Sequence, residues 1–401
     1  MSVESVQFRK FPYPYRSMLA ICSDLDETQD WPTYREISRY LNTSGETAIG
    51  PGVGLEVGNT LYFDMPAGEL SYWNATDHER EQMRALIRSG HIDCFHSFGD
   101  DALQRMHAER ALDDLEAHSC RMEVWVDHAT AATNFGPDIM QGHGDEVGHS
   151  AYHADRTFAH GVRYVWLGRV TSVIGQDVRY NPLTVFDMGH AAASLRTMAK
   201  DVVKHVLSAY PTGKYSMHSG NRLTREVTLR SGHTATEFMR CNPHPGGVSV
   251  GDNAPGIAEA LSDRNLDALV RRQGVSIIYT HLGKKLVPDT LFNDATRRAF
   301  ERLAGYSSAN AILVTSTRRL LGYHDALRQI DYRIERHGGS ASLDLQLPPD
   351  LSADGITLYW EEEPPAVSLN GRPCRQVRMN SADETGRRSV SVPWPSMQWP
   401  L

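Results

Sequence analysis

Ser17-Met18-Leu19-Ala20-Ile21-Cys22-Ser23-Asp24-Leu25-Asp26-Glu27-Thr28 is an apolar run that ends abruptly in acids. Ser17 to Cys22 has the length and composition of a buried strand. Two carboxylates one residue apart at its C-terminal end are groups that hold a metal or move a proton. Two later stretches repeat the arrangement. Gly90-His91-Ile92-Asp93-Cys94-Phe95-His96-Ser97-Phe98-Gly99-Asp100 places a histidine and an aspartate four residues apart where a second strand ends, and Gly274-Val275-Ser276-Ile277-Ile278-Tyr279-Thr280-His281 closes a late strand on a histidine.

Working outward, Asp30 to Leu41 predicts a helix with a polar cap and an early proline. Gly54 to Phe63 predicts a strand or hairpin turning at Gly58-Asn59. Thr76 and Glu79 stand in capping-box register for a helix that stops at Gly90. Further helices are expected at residues 101–118, 152–160, 191–210, 256–273 and 294–303, and strands at 121–126, 161–167 and 311–315, with Lys214 to His218 as another polar strand end. Strand and helix alternate with short connections, which predicts a parallel α/β architecture. An irregular (β/α) barrel is preferred to an open doubly wound sheet, because polar candidates end many strands and do not gather at one switch point. No glycine-rich nucleotide fingerprint follows the first strand. Beyond about Gly338 the texture changes to short alternating runs, so residues 1–337 are expected to form the barrel domain and 338–401 a small C-terminal β appendage.

The chain has 401 residues, 40% hydrophobic and 22% charged, enough for a sizeable core. Net charge is −8, from 41 basic and 49 acidic residues without a block of like sign, which disfavours a nucleic-acid or anionic-membrane surface. Cys22, Cys94, Cys120, Cys241 and Cys374 lack CxxC spacing and read as reduced thiols. With no leader pattern at the N-terminus and no apolar run of about 18 residues, the expectation is a cytoplasmic protein without a membrane span.

Donors converging from strand ends suit a divalent metal with an acid and a base beside it. Asp24, Asp26, His96, Asp100 and His281 are the candidates. Each alone is also an ordinary cap or core residue, so the argument rests on the three strand ends together. A rival cluster, Gln141-Gly142-His143-Gly144-Asp145-Glu146-Val147-Gly148-His149 with His153 beyond it, is too broken by glycine for a helical metal motif and is expected to be a mobile substrate-contacting loop. Trp125, Trp166, Tyr152 and Tyr279 suit stacking on sugar rings, and Asp127, His128, His149, His218 and Arg222 are further substrate-binding candidates. No GxSxG elbow and no activated cysteine context is present, which disfavours a covalent serine or cysteine mechanism.

In the order of these motifs, over roughly the first three hundred residues, the chain resembles the polysaccharide deacetylase superfamily, whose catalytic domain is an irregular (β/α) barrel. Ser23-Asp24-Leu25-Asp26-Glu27 is similar to the family's acidic motif, His96-Ser97-Phe98-Gly99-Asp100 to its histidine motif with aspartate as the last ligand, and Tyr279-Thr280-His281-Leu282 to its late histidine element. The resemblance implies Asp24 as catalytic base, Asp26, His96 and Asp100 as ligands of a divalent metal, zinc by expectation, and His281 as general acid. It implies deacetylation of an N-acetylated (poly)saccharide. The family's Arg-x-Pro-Tyr element has no counterpart; Val124-Trp125-Val126-Asp127-His128 occupies its expected region. Two alternatives stay open. One is a glycoside hydrolase using Asp24 with Asp127 or Glu146, and the other is a non-catalytic glycan-binding protein.

Overall fold

The computed structural model describes residues 6–210, 213–287, 290–337, 340–374 and 376–401. Met18–Ser23 forms β1, and all six of its residues are buried. An unbroken apolar run of this kind is at home in a parallel sheet covered on both faces. The strands that follow are β2 (Gly58–Leu61), β3 (Ile92–His96), β4 (Val124–Val126), β5 (Tyr164–Trp166), β6 (Val170–Thr171), β7 (Thr224–Thr228), β8 (Thr234–Phe238), β9 (Arg240–Cys241), β10 (Val275–Thr280) and β11 (Leu313–Thr315). Their order across the sheet is β6, β9, β10, β1, β2, β3, β4, β5, β8, β7, with β11 paired to the first half of β1. Every pairing is parallel except that of β7 with β8.

The sheet curls until β8 and β9, from opposite flanks, are separated in the chain by Met239 alone. No ladder pairs those two strands, so the barrel is only partly closed, where a (β/α) barrel was expected. β6 and β9 offer two residues each, too few to carry hydrogen bonding around the ring.

Local signals place the early helices as expected. Trp31–Asn42 starts at Asp30, whose side chain accepts from the Thr33 amide, and Asp77–Ser89 is closed by the Thr76–Glu79 capping box and ends at Gly90 with φ 82°. Other expectations change. Gly54 to Phe63 is not a hairpin, because β2 runs as one strand between β1 and β3. A Cβ on Gly58 would stand 2.5 Å from Asp93 Oδ1, so glycine here permits the close approach of β2 and β3, not a turn. The expected helix 256–273 is split into Ile257–Ala260 and Asp263–Arg272, and Gly213–His218 is a 3-10 turn where a polar strand end was expected. The β7–β8 hairpin and the helix Thr317–Gln329 had no counterpart in the sequence reading.

The C-terminal β appendage is present. Asp331–His337, Ser340–Gln346, Ala366–Leu369 and Arg372–Pro373 make one small sheet, and Thr357–Tyr359, Arg378–Asn380 and Ser389–Ser391 another. Leu343, Leu345, Leu358 and Val390 share a buried cluster with Phe11, Met18, Leu320 and Tyr323. Each fully buried leucine there contributes roughly 1.5–3 kcal/mol. Arg9 fastens the same join, 3.0 Å from Asp383 and 2.8 Å from Glu384. The appendage therefore covers the end of the sheet where β1 begins. The acids and histidines lie at the other end.

Candidate functional site

Five strands deliver the site. Asp24 and Asp26 follow β1, Tyr62 follows β2, His96 is the last residue of β3, His128 stands just past β4, and His281 follows β10. The ladder continues one residue beyond β1, since the Asp24 amide donates to the Thr280 carbonyl at 2.8 Å. Alternation along this extended segment turns Leu25 into an apolar cluster and leaves the carboxylates on either side of it to point inward.

Asp26 is the hub. Its Oδ2 lies 3.0 Å from His96 Nε2 and 3.4 Å from His281 Nε2. Its Oδ1 accepts from the Tyr62 hydroxyl at 2.5 Å and lies 3.2 Å from His128 Nδ1. Burial works against charge on Asp26, but His96, His128 and His281 outweigh it and hold the carboxyl well below the usual aspartate range. Burial likewise opposes protonation of His96, yet Asp24 and Asp26 raise its pKa above the ordinary histidine value. His128 moves the other way, lowered by burial and by the charge of His96. Burial, and then Asp26, push the Tyr62 phenol well above its usual range.

One donor atom from each of Asp26, His96 and His128 lies within 4.8 Å of the others. A carboxylate and two imidazoles are a donor set that zinc accepts, with bonds of about 2.0–2.2 Å. The separations of 3.0 Å from Asp26 Oδ2 to His96 and 3.2 Å from Oδ1 to His128 are close to the spacing between neighbouring ligands on such an ion. The outer shell fits too. His96 turns Nδ1 toward the Val126 carbonyl at 3.5 Å, and His128 Nε2 lies 3.3 Å from Asp100 Oδ1. A histidine backed by a carboxylate is the usual support for a metal ligand. Asp100, expected as a ligand, is thus placed behind His128, and its side chain is 48% exposed.

Asp24 and His281 border this group. Arg240 Nη1 donates to Asp24 Oδ1 at 2.8 Å, and the arginine is fully buried. Its guanidinium lies 3.5 Å from the ring centre of Trp166 and 4.3 Å from that of Tyr279. Burial opposes this charge, but Asp24 outweighs it and raises the arginine's pKa. His281 Nδ1 donates to the Asp252 carbonyl at 2.7 Å, which leaves Nε2 facing Asp26. A cavity of about 450 Å³ opens onto Asp26, Tyr62, Asp100, His128, His281 and Lys284.

Other candidates lie elsewhere. Trp125 is buried against Phe95, Phe98 and Phe135 and donates from Nε1 to Asp127 Oδ1 at 2.8 Å. Asp127 also accepts from the amides of Phe135 and Gly136 and is buried, so its pKa rises to about 7. Both residues support the core and do not face the metal group. His149 is exposed and stacks on His143, while Asp145 in the same loop is buried and paired with Arg230. The Arg230 pair ties the loop 134–150 to the turn between β7 and β8. His218 and Trp166 line a second cavity beside the site, and Arg222 lines one at the opposite end, with Met18 and Val275.

Tyr62, Arg240 and Asp252 were not among the candidates. Tyr62 had a legible signal, a polar aromatic ending Asn59-Thr60-Leu61. Arg240 sits on a strand of two residues, too short for any periodicity. Compared with family models, curated proteins and solved structures, the chain matches none.

Proposed function

We propose that the chain is a metal-dependent hydrolase acting on carbohydrate, and that its reaction is deacetylation of an N-acetylated (poly)saccharide. The observation that carries this reading is the convergence of Asp26, His96 and His128 from three strand ends, with Asp24 and His281 in contact with the same group. A bound divalent ion, zinc by its donor set, would supply Lewis acidity toward an acyl carbonyl and its attacking water. Asp24, held by Arg240, takes the proton of that water as its oxygen bonds to the carbonyl carbon. His281, oriented by Asp252, gives a proton to the departing nitrogen as the C–N bond breaks. The alternative of a carboxylate-pair glycosidase finds less support, since Asp127 is spent on three hydrogen bonds within the core and Glu146 pairs with His143 and Arg230 on an exposed loop.

Elemental analysis of protein purified without chelator tests the reading, together with acetate release from N-acetylated oligosaccharides. Near-stoichiometric metal in wild type that is lost in His96→Ala, with acetate release lost in Asp24→Asn, is the expected result. Metal-free, inactive wild type would overturn it.

A further inference from the structure

A second cavity, of about 530 Å³, adjoins the metal group and is lined by Trp166, Arg169, Lys200, Lys204, Lys214 and His218. Tyr279 and Asp252 also line it. Both residues touch His281, through the Asp252 carbonyl on Nδ1 at 2.7 Å and the Tyr279 hydroxyl 3.5 Å from Nε2. His281 in turn lines the first cavity. His281, Asp252 and Tyr279 thus form the border between the two cavities.

Of the four cations on this wall, two are held by acids and two, among the described residues, are not. Arg169 is answered by Asp138 at 3.0 Å and Glu237 at 2.7 Å, and Lys204 by Asp201 at 3.7 Å and the Val170 carbonyl at 3.0 Å. Lys200 and Lys214 have no acidic partner among the described residues. Asp252 is the remaining acid on the wall, at the border with His281. The His218 ring is nearly buried, and its nitrogens make no hydrogen bond among the described residues, so they remain available to a ligand. In a protein of net charge −8, two lysines without an acidic partner among the described residues thus stand on the recess beside the candidate site. Such a wall concentrates and orients anions.

We propose that this cavity is a subsite for an acidic substituent, a carboxylate or a sulfate or phosphate ester, on the sugar adjoining the one whose N-acyl group reaches the metal group. The inference rests on the hydrolase reading above and names its substrate class, an anionic N-acetylated saccharide. Lys200 and Lys214 meet the anion, while the half-buried Tyr279, at the border with His281, forms the wall along which the sugar lies.

Binding, and not turnover, is the readout that separates this inference from the reading it rests on. Calorimetry compares three probes, a disaccharide of glucuronic acid and N-acetylglucosamine, the neutral disaccharide of N-acetylglucosamine, and N-acetylglucosamine 6-sulfate. Each is titrated into the full chain as wild type, Asp24→Asn and Lys200→Ala/Lys214→Ala. The expected result is roughly tenfold or more tighter binding of an acidic probe than the neutral one, kept in Asp24→Asn and lost in the double lysine variant. Preference for the uronate or for the sulfate identifies the anion's source. Equal affinity for all three probes, or an acidic preference untouched by removing both lysines, overturns the proposal. Acidic preference without acetate release from any probe would sink the deacetylase reading and leave the anion subsite standing.

Discussion

Arg240 reaches Asp24 across 216 residues of sequence, with Nη1 2.8 Å from Oδ1 and both side chains out of solvent. Truncation to alanine strands a buried carboxylate, for which the expected cost is about 3–5 kcal/mol. Arg240→Lys keeps the charge but loses the planar stack between Trp166 and Tyr279, and is expected to cost less. Urea unfolding midpoints at neutral pH check both. An Arg240→Ala midpoint equal to wild type would show that the pair contributes nothing.

His128 and Asp100 are expected to differ in their effect on metal affinity. His128 presents Nδ1 to Asp26, whereas Asp100 touches only the far nitrogen of that ring within this group. Asp100→Ala should weaken zinc binding by about 10–100-fold, the usual effect of an outer-shell change, and His128→Ala should weaken it further. Competition against a chromophoric chelator measures both affinities. Equal losses would place Asp100 directly on the ion.

His153 ties stability to pH. It is fully buried, its Nε2 bonds the Thr133 carbonyl at 2.8 Å and its Nδ1 the Thr157 hydroxyl at 2.8 Å, and burial lowers its pKa to about 4. Above about pH 6.5 the ring is neutral folded or unfolded, so its full contribution is present there. As pH falls from about 6.5 toward 4, the unfolded chain takes up a proton that the folded one refuses, and stability drops by roughly 3 kcal/mol over that window. His91 and His218, also lowered by burial, act in the same direction. The difference between wild type and His153→Gln therefore isolates this ring. Thermal unfolding from pH 7 to 4 should show a shallower decline in the variant, and parallel curves would remove His153 from the account.

Sequence legibility followed the range of each signal. The run Met18–Ser23 and the capped helix after Thr76 declare themselves within one turn or one strand, because burial and capping act between near neighbours. Asp24, Asp26, His96 and His281 were legible for the same reason, as polar residues ending apolar runs. Trp125 and Asp127 carry a similar pattern, yet they bond each other within the core, and nothing in their spacing distinguishes the two outcomes.

The sequence by itself therefore determined the apolar strands, the caps that stop the helices, and the acids and histidines at the strand tips. The tertiary structure decided that His128 faces Asp26 with Asp100 behind it, that Arg240 holds Asp24, and that the sheet stops short of a closed ring. Hydrophobic periodicity specifies which side of a segment is buried, whereas these pairings depend on strand order and sheet curl, which bring together residues tens to hundreds of positions apart.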